Sequence, residues 1–276
     1  MGILNVTPDS FSDGGRYFEK GTAVEHGLEM IREGADIIDV GGESARPGSR
    51  PVPADEESRR VIPVIRGLKD RTEALISVDT AKASVAREAL EAGADIVNDT
   101  TALRGDPEMA AVAAGSGAAL VLMHMKGVPE TMQVHPSYAD LFGEVGSFLE
   151  DRIKASLRAG IAPESLIIDP GIGFGKRIED NLALINGLGF LEPLDRPVLA
   201  GISRKAFIGN ILGGLPSEDR LEGTIAAAVL SVVRGAHIVR VHDVRAVRRA
   251  VDMADAILAG PAVNARPDLE GGPHAG

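Results

Sequence analysis

Polar side chains that could bind a ligand follow short apolar runs at several points of the chain. In the segment from Leu166 to Lys176, three aliphatic residues end at Asp169, and proline and alternating glycines follow. The aliphatic run is typical of a buried strand. The glycines permit positive φ and a close approach of backbone to a ligand, and Lys176 adds a cation. The segment is predicted to be a strand with a ligand-binding loop, and a plain strand-to-helix turn is the alternative.

Two familiar chemistries fit this chain poorly. A Walker phosphate loop requires a glycine and a hydroxyl where the chain has Pro170 and Arg177. Nucleophilic catalysis by Ser203 is possible in principle, but no Gly-x-Ser-x-Gly elbow surrounds it, and the neighbouring Lys205 is explained as easily by ligand binding. Noncovalent binding of a polar ligand is therefore the preferred interpretation.

The succession of strand, polar loop and helix recurs eight times along the chain. Strands are predicted at residues 2–6, 36–40, 75–78, 96–99, 119–123, 166–168, 197–202 and 237–241, and helices at 22–33, 55–68, 81–92, 107–114, 138–159, 179–186, 218–234 and 243–258. Strict alternation requires parallel strands, which indicates a (β/α)8 TIM barrel or a doubly wound open sheet. The barrel is preferred, because no dinucleotide fingerprint follows the first strand. We expect residues 1–259 to form this single barrel and residues 260–276, rich in Gly, Pro and Ala, to form a disordered tail.

The polar residues gather at one end of the predicted strands. At or just past the carboxyl ends stand Asn5, Asp39, Asp79, Asn98, Asp99, His124, Asp169, Ser203, Lys205, Arg240 and His242. A barrel brings these ends together on one face, where barrel enzymes hold their active sites. Any single residue of this set could instead cap a helix or form a turn. The whole set predicts a binding site on that face.

The acidic and amide members of this set indicate the kind of ligand. Asp79, Asn98 and Asp169 would accept and donate hydrogen bonds in a plane, as a fused nitrogen heterocycle with amino and lactam edges requires. Two carboxylates could also serve as a general acid and a general base, so this alternative stays open.

The basic members of the set would complement an anion. They are Lys205, Arg240 and His242, and the equal parity of positions 240 and 242 points both side chains to one side of their strand. Phosphate or diphosphate is the anion that such a cluster typically binds.

Composition excludes several classes of function. The 276 residues carry a net charge of −11, 3% aromatic residues and no tryptophan, which disfavours binding to nucleic acid. The absence of cysteine excludes disulfides and thiolate metal sites, and the six histidines show no metal-binding spacing. No apolar run reaches the roughly 18 residues that span a bilayer. We therefore expect a soluble, cytoplasmic protein that binds neither membranes nor nucleic acid.

Eight motifs together resemble one known family. They lie at residues 2–15, 39–48, 77–80, 98–99, 122–125, 169–176, 201–205 and 240–243. In this order they resemble the motifs of the dihydropteroate synthases, and the resemblance spans nearly the whole chain. It implies a (β/α)8 barrel that joins p-aminobenzoate to 6-hydroxymethyl-7,8-dihydropterin diphosphate, and releases diphosphate and 7,8-dihydropteroate for folate synthesis. It also implies Mg²⁺ as the cofactor and a homodimer.

The resemblance assigns roles to individual residues of this sequence. For the pterin it implies Asp79, Asn98, Met123, Asp169, Phe174, Gly201, Lys205 and Arg240, of which Asp79, Asp169, Lys205 and Arg240 would be catalytic. For p-aminobenzoate it implies Phe11, Arg46, Pro47, Ser203 and Lys205. For diphosphate it implies Asn5, Arg240 and His242, with Asn5 also a Mg²⁺ ligand and Asp39 on the floor of the site. Arg240 would in addition stack on the pterin ring.

Two departures from the family pattern and two alternatives accompany this assignment. Ala45 stands where the family commonly has threonine, which could alter the response to sulfonamide analogues, and Met1 abuts a strand that other members precede with further residues. A pterin-binding methyltransferase with a corrinoid partner would leave Arg46, Arg240 and His242 without a role. A non-catalytic homologue would not need charged groups at every strand end.

Overall fold

The computed structural model describes residues 1–6, 16–43, 51–127 and 131–260, with the backbone alone for residues 16–20. Its strands are β1 (Gly2–Asn5), β2 (Ile37–Gly41), β3 (Leu75–Asp79), β4 (Ile96–Asp99), β5 (Ala119–Met123), β6 (Leu166–Asp169), β7 (Leu199–Gly201) and β8 (Ile238–Arg240). Its helices are α1 (Arg16–Arg32), α2 (Ala54–Lys69), α3 (Ala83–Glu91), α4 (Met109–Ser116), α5 (Leu141–Arg158), α6 (Ile178–Asn186), α7 (Ala206–Ile211), α8 (Leu221–Val233) and α9 (Val244–Ala259). Short 3-10 helices span Pro163–Ser165, Leu188–Leu194 and Ser217–Asp219.

The eight strands form a ring of parallel strands in chain order. Strands β1 to β6 pair successively, and β7 pairs with β8. Single parallel bridges join these two groups, one between Ile168 and Val198 and the other between Gly2 and Val241. At the second bridge the Ile3 amide donates to the Val241 carbonyl over 2.9 Å. The predicted (β/α)8 barrel is confirmed, and the open sheet is excluded.

Alternation along the strands separates two cores. Outward side chains such as Ile38 and Val40 are fully buried against the surrounding helices. Inward side chains in the lower part of the barrel form a separate apolar cluster of Met1, Ile37, Ile96, Val121, Ile167 and Leu199. Further up, the inward positions become polar. The apolar cluster therefore forms a packed floor beneath the polar end of the barrel.

The helices bury one apolar face each against the ring. In α5, the buried residues Val145, Leu149 and Ile153 recur every four positions, and the Asp140 carboxylate caps the first turn by accepting the Gly143 amide over 3.1 Å. Among the described ranges, none of the helices combines the length and the hydropathy that crossing a bilayer requires.

The predicted elements are all present, but two helices differ from the prediction. Helix α1 begins at Arg16, six residues before its predicted start, and continues through Gly21, a residue with low helix propensity. Helix α7 was not predicted, because its six residues are too few to show a helical period. It follows β7 directly, and the helix predicted at 218–234 begins as a 3-10 turn before α8.

Candidate active site

The predicted site residues of the described ranges converge at the carboxyl end of the barrel. Each strand contributes one at or near its last position, namely Asn5, Asp39, Asp79, Asn98, Met123, Asp169, Gly201 and Arg240. Short contacts connect them across the ring. The Asn98 amide donates to Asp39 Oδ2 over 3.1 Å, and a Cβ placed on Gly201 would lie 3.8 Å from Asp169 Oδ2.

Arg240 forms ion pairs with two carboxylates inside the barrel. Its Nε donates to Asp39 Oδ2 over 2.5 Å and its Nη2 to Asp79 Oδ2 over 2.8 Å. The Asp39 side chain is fully buried, and its Oδ1 has no hydrogen-bond partner among the described residues. The sequence had predicted contacts of Arg240 with the pterin ring and diphosphate, and these two ion pairs were not foreseen.

One guanidinium opposes two carboxylates here, so an excess of negative charge is buried. Burial raises the pKa of Asp79 to about 7, an effect that Arg240 opposes and that Asp39 reinforces. The raised pKa means that native Asp79 takes up a proton near neutral pH, where an Asp of the unfolded chain stays ionised. The Asp79 site is therefore sensitive to pH.

We expect Asp79→Asn to remove part of the pH dependence of stability. Because the native pKa of Asp79 exceeds the unfolded value, the wild type loses stability as pH rises from about 4 to about 7. Between pH 5 and pH 8, the free energy of unfolding of the wild type should fall by about 1–3 kcal/mol relative to the variant. Urea unfolding of both proteins at the two pH values measures this difference. Parallel profiles would show that Asp79 does not titrate in this range.

Asp169 and Lys205 form the opposite side of the site. Asp169 Oδ1 accepts the Gly171 amide over 2.7 Å, and burial raises the pKa of Asp169 while this hydrogen bond and Lys205 lower it. Burial lowers the pKa of Lys205 to about 8, and Asp169 opposes this effect. The Lys205 Nζ lies 4.1 Å from the centroid of the Phe174 ring, a cation–π distance.

An apolar wall accompanies these polar groups. The Phe174 ring packs against a buried cluster of Met123, Met125 and Met132. Of these residues, Met125 and Met132 were not predicted, because methionines in loops give no periodic signal. A flat apolar wall beside Asp169 and Lys205 suits a planar ligand with a polar edge. We call this wall and its polar edge the slot.

Ser203 and His242 are paired beside the slot. The Ser203 Oγ lies 2.9 Å from His242 Nδ1 and accepts the His242 backbone amide over 3.1 Å. Between them in the chain, Arg204 has a positive φ of 54° and donates to both oxygens of Asp243 over 2.9 and 2.6 Å. This bidentate ion pair fixes the loop after β7 to the end of β8.

Two predicted polar residues contact each other inside the loops. His124 was predicted among the strand-end residues of the site, and Lys176 was predicted to bring a cation to a ligand-binding loop. The Lys176 Nζ instead lies 2.9 Å from His124 Nδ1, and both side chains are buried. Burial lowers the pKa of His124 to about 3, so this imidazole is neutral at physiological pH.

A charged cluster next to β2 was also not predicted from the sequence. Lys82 donates to Glu43 and to Glu57, and the Glu57 side chain is almost completely buried. The Val52 amide donates to Glu43 Oε2 over 3.2 Å. Three residues predicted to bind p-aminobenzoate lie outside the described residues, namely Phe11, Arg46 and Pro47. The same holds for Ala45, which departs from the family pattern.

Comparisons with known proteins define the class. The model of the pterin binding enzyme family matches residues 1–242. The barrel with its polar site is thus that of a pterin binding enzyme. The chain is 50% identical to dihydropteroate synthase of Bacillus subtilis (strain 168) over 258 residues, which are 94% of this chain and 88% of the relative. The chain belongs to the dihydropteroate synthase family.

Solved structures agree with this assignment. Dihydropteroate synthase of Xanthomonas albilineans with 4-aminobenzoic acid has a TM-score of 0.89 at 48% identity, covering 94% of this chain and 93% of that chain. The same enzyme in complex with 7,8-dihydropteroate has a TM-score of 0.86 at 46% identity, with coverage of 94% and 93%. The family and the class of enzyme, a transferase, are those predicted from the motifs.

Proposed function

We propose that this protein condenses 6-hydroxymethyl-7,8-dihydropterin diphosphate with p-aminobenzoate, releasing diphosphate and 7,8-dihydropteroate in folate synthesis. The observation that carries the proposal is the slot, in which the carboxylate of Asp169 is buried and the Lys205 Nζ lies 4.1 Å from the centroid of the Phe174 ring. The proposal is supported by two complexes of the Xanthomonas albilineans enzyme, one with 4-aminobenzoic acid, a proposed substrate, and one with 7,8-dihydropteroate, the proposed product.

The slot is proposed to hold the pterin. Asp169, Asn98 and Asp79 would pair with the amino and lactam edge, and Lys205 would donate to a ring acceptor. Phe174, with Met123 beside it, would cover one ring face. The hydrogen bonds that orient Asp169 and Asn98 are in place without the ligand, so these two side chains need little reorganisation on binding.

The charges of the site suit a reaction that separates charge. Cleavage of the C–O bond to diphosphate would leave a delocalised pterin methylene cation. The nitrogen of the neutral arylamine would then form the C–N bond and release a proton to solvent. When Asp79 is ionised, the three carboxylates Asp39, Asp79 and Asp169 exceed the two cations Arg240 and Lys205 by one charge, and this negative excess would stabilise the pterin methylene cation. Arg240 is proposed also to contact the departing diphosphate and to stack on the pterin ring, which requires it to leave at least one of its ion pairs.

Asn5 and His242 complete the proposed diphosphate site. His242 lies two residues after the end of β8, and Asn5 ends β1, where a Cβ on Gly41 would lie 3.9 Å from the Asn5 Oδ1. No group of three or more His, Asp or Glu side chains suited to a metal occurs among the described residues. Mg²⁺ usually keeps several waters and binds through one or two protein oxygens with substrate phosphates, so the Asn5 amide oxygen fits this manner of binding. When bound there, Mg²⁺ would neutralise charge on the diphosphate.

The second substrate is proposed to bind beside Ser203 and Lys205, with Phe11, Arg46 and Pro47 completing its pocket. The paired Ser203 and His242 border the slot, so p-aminobenzoate would meet the pterin methylene next to the diphosphate site. The roles of Phe11, Arg46 and Pro47 rest on the motif resemblance.

One assay tests the proposed function. Diphosphate release should require both pterin diphosphate and p-aminobenzoate, and 7,8-dihydropteroate should form in equal amount. Release that does not depend on the arylamine, or binding of pterin without release, would contradict the proposal. Omitting Mg²⁺ in the presence of a chelator should abolish turnover if the metal assignment is correct.

We further propose that the protein is a homodimer formed through α8 and α9. These two neighbouring helices expose large apolar side chains, namely Leu230, Val233, Met253, Ile257 and Leu258, each 44–67% exposed. A patch of this kind is typical of a protein interface.

The double substitution Leu230→Glu and Ile257→Glu should yield a monomer, since it places charges in the proposed interface. Sedimentation velocity at micromolar concentration compares it with the wild type. Leu157→Glu on α5 is the matched control, because Leu157 is 40% exposed and α5 packs mainly against β5 and the 3-10 helix Leu188–Leu194. A monomeric wild type, or a variant that remains dimeric, would contradict this interface.

A further inference from the structure

The loop after β6 closes around a buried lysine. The Lys176 Nζ lies 3.0 Å from the Gly171 carbonyl oxygen, 3.1 Å from that of Phe174 and 2.9 Å from His124 Nδ1. Lys176 is only 3% exposed, so water does not supply these bonds. These three near acceptors match the three N–H donors of an ammonium group, and the His124 carbonyl oxygen lies farther from the Nζ, at 3.5 Å. Burial lowers the pKa of Lys176 to about 7, an effect that Asp169 opposes, so Lys176 acts as an internal cation of the loop below neutral pH.

His124 is held as a neutral acceptor for this ammonium. Its ring packs edge-on against Phe148 with centroids 4.9 Å apart. Burial, reinforced by the charge of Lys176, lowers the pKa of the imidazole to about 3. Because the Lys176 Nζ donates to Nδ1, the imidazole proton lies on Nε2. The ring therefore cannot compete with Lys176 as a second cation.

Two further carbonyls of the loop are paired on its outer side. Gln133 donates to the Gly173 oxygen over 2.7 Å, and the Tyr138 hydroxyl donates to the Gly175 oxygen over 2.8 Å. Gly171 has a φ of 69°, and a Cβ at this position would overlap the His124 carbonyl. These contacts therefore restrict the conformation of the loop on its outer side. Without the lysine, the buried Phe174 carbonyl and His124 Nδ1 would lose the donor that they share, and the Gly171 carbonyl would keep only the Phe174 amide. Leaving such acceptors without a donor is unfavourable.

The same loop sets two walls of the slot. The Gly171 amide donates to Asp169, and the Phe174 ring lies under the Lys205 Nζ. Lys176 binds the backbone carbonyls of these two residues, Gly171 and Phe174. We propose that Lys176 is a positioning residue for the pterin half of the site, acting through Asp169 and Phe174 without touching substrate. This inference rests on the proposed function, since it takes the slot as the pterin site.

Lys176→Met tests the proposal, because it removes the charge and the donors and keeps a side chain of similar length. At pH 6.5, the KM for pterin diphosphate should rise about 10- to 100-fold, as expected when buried acceptors lose their donor. The KM for p-aminobenzoate at saturating pterin diphosphate should change less than about threefold, within the scatter of such contributions. Lys154→Met on α5 is the control, since Lys154 is exposed and pairs only with Glu150 over 2.7 Å among the described residues.

A chemical rescue separates positioning from a general loss of structure. Lys176→Ala should regain pterin affinity when methylammonium or ethylammonium is added, because a small ammonium can occupy the space among the three acceptors. Tetramethylammonium, which has no N–H donor, should give no rescue. Equal changes in both KM values, unchanged KM values in Lys176→Met, or rescue by tetramethylammonium would each overturn the proposal.

Hydrogen exchange keeps the test independent of turnover. The amides of Gly171 and Phe174, which hydrogen-bond within the loop, should exchange at least about tenfold faster in Lys176→Met than in the wild type if the lysine holds the loop. Unchanged exchange would overturn the proposal even if the variant were inactive. If the wild type fails to release diphosphate, the proposed function is refuted. The hydrogen-exchange result would then still decide whether Lys176 orders the loop.

Discussion

Asp169→Asn is expected to weaken the binding of pterin diphosphate by about 10- to 100-fold, or about 1–3 kcal/mol. Asp169 is 5% exposed, and its Oδ1 already accepts the Gly171 amide. A carboxylate can accept that bond and also accept from the ligand, because both oxygens are acceptors. An asparagine must turn its NH2 group toward either the Gly171 amide or the ligand, so one donor would face another.

Calorimetric titration with a non-reactive pterin diphosphate analogue measures this loss. Lys205→Ala should give a loss of similar size, since it removes the proposed donor at the polar edge of the slot. Asp55→Asn is a suitable control, because Asp55 lies on the exposed surface of α2 and its carboxylate is 77% exposed. Wild-type affinity in both site variants would remove Asp169 and Lys205 from the pterin site.

Arg240→Met is expected to lower the free energy of unfolding by about 3–5 kcal/mol at pH 8, because it leaves two buried carboxylates without their counter-ion. The loss should be smaller at pH 5. The pKa of Asp79 is about 7 even beside Arg240, and it rises further without the guanidinium, so Asp79 is protonated at the lower pH. Adding Asp79→Asn to Arg240→Met should recover part of the stability at pH 8.

Urea unfolding at the two pH values distinguishes this explanation from lost packing. Arg87→Met is the control, because Arg87 pairs with Glu108 over 3.4 Å on the surface, with side chains 52% and 71% exposed. Exposed pairs of this kind contribute about 0–1 kcal/mol. An Arg240→Met variant that loses equal stability at pH 5 and pH 8 would show that the carboxylates are not the cause.

Sequence reasoning succeeded where a pattern repeats or a polar residue ends an apolar run. The eight strands and the convergence of Asp79, Asn98 and Asp169 were predicted because parallel strands place their carboxyl ends on one face. The family followed from long motifs in a fixed order. Both kinds of signal are local in the chain, and the fold then combines them.

Sequence reasoning failed where a contact depends on which neighbour a long side chain reaches. Arg240 and Asp39 are 201 positions apart, and nothing in either motif indicates that they pair. Lys176 stands in a glycine-rich loop that suggested a ligand contact, yet its amino group bonds the loop itself. Flexible side chains with several torsions leave such choices to the tertiary structure. Helix α7 was missed because six residues do not establish a period.

The crowding of the loop after β6 bears on how this enzyme could escape an inhibitor. Gly171 and Gly175 have φ values of 69° and 61°, and a Cβ on either would overlap a backbone carbonyl, that of His124 or of Lys126. Every substitution at these two codons adds a Cβ, so each would strain the backbone and displace its neighbour. A compound anchored to the main chain of this loop would contact atoms that mutation can scarcely alter. Resistance to such a compound would have to arise from the side chains around it.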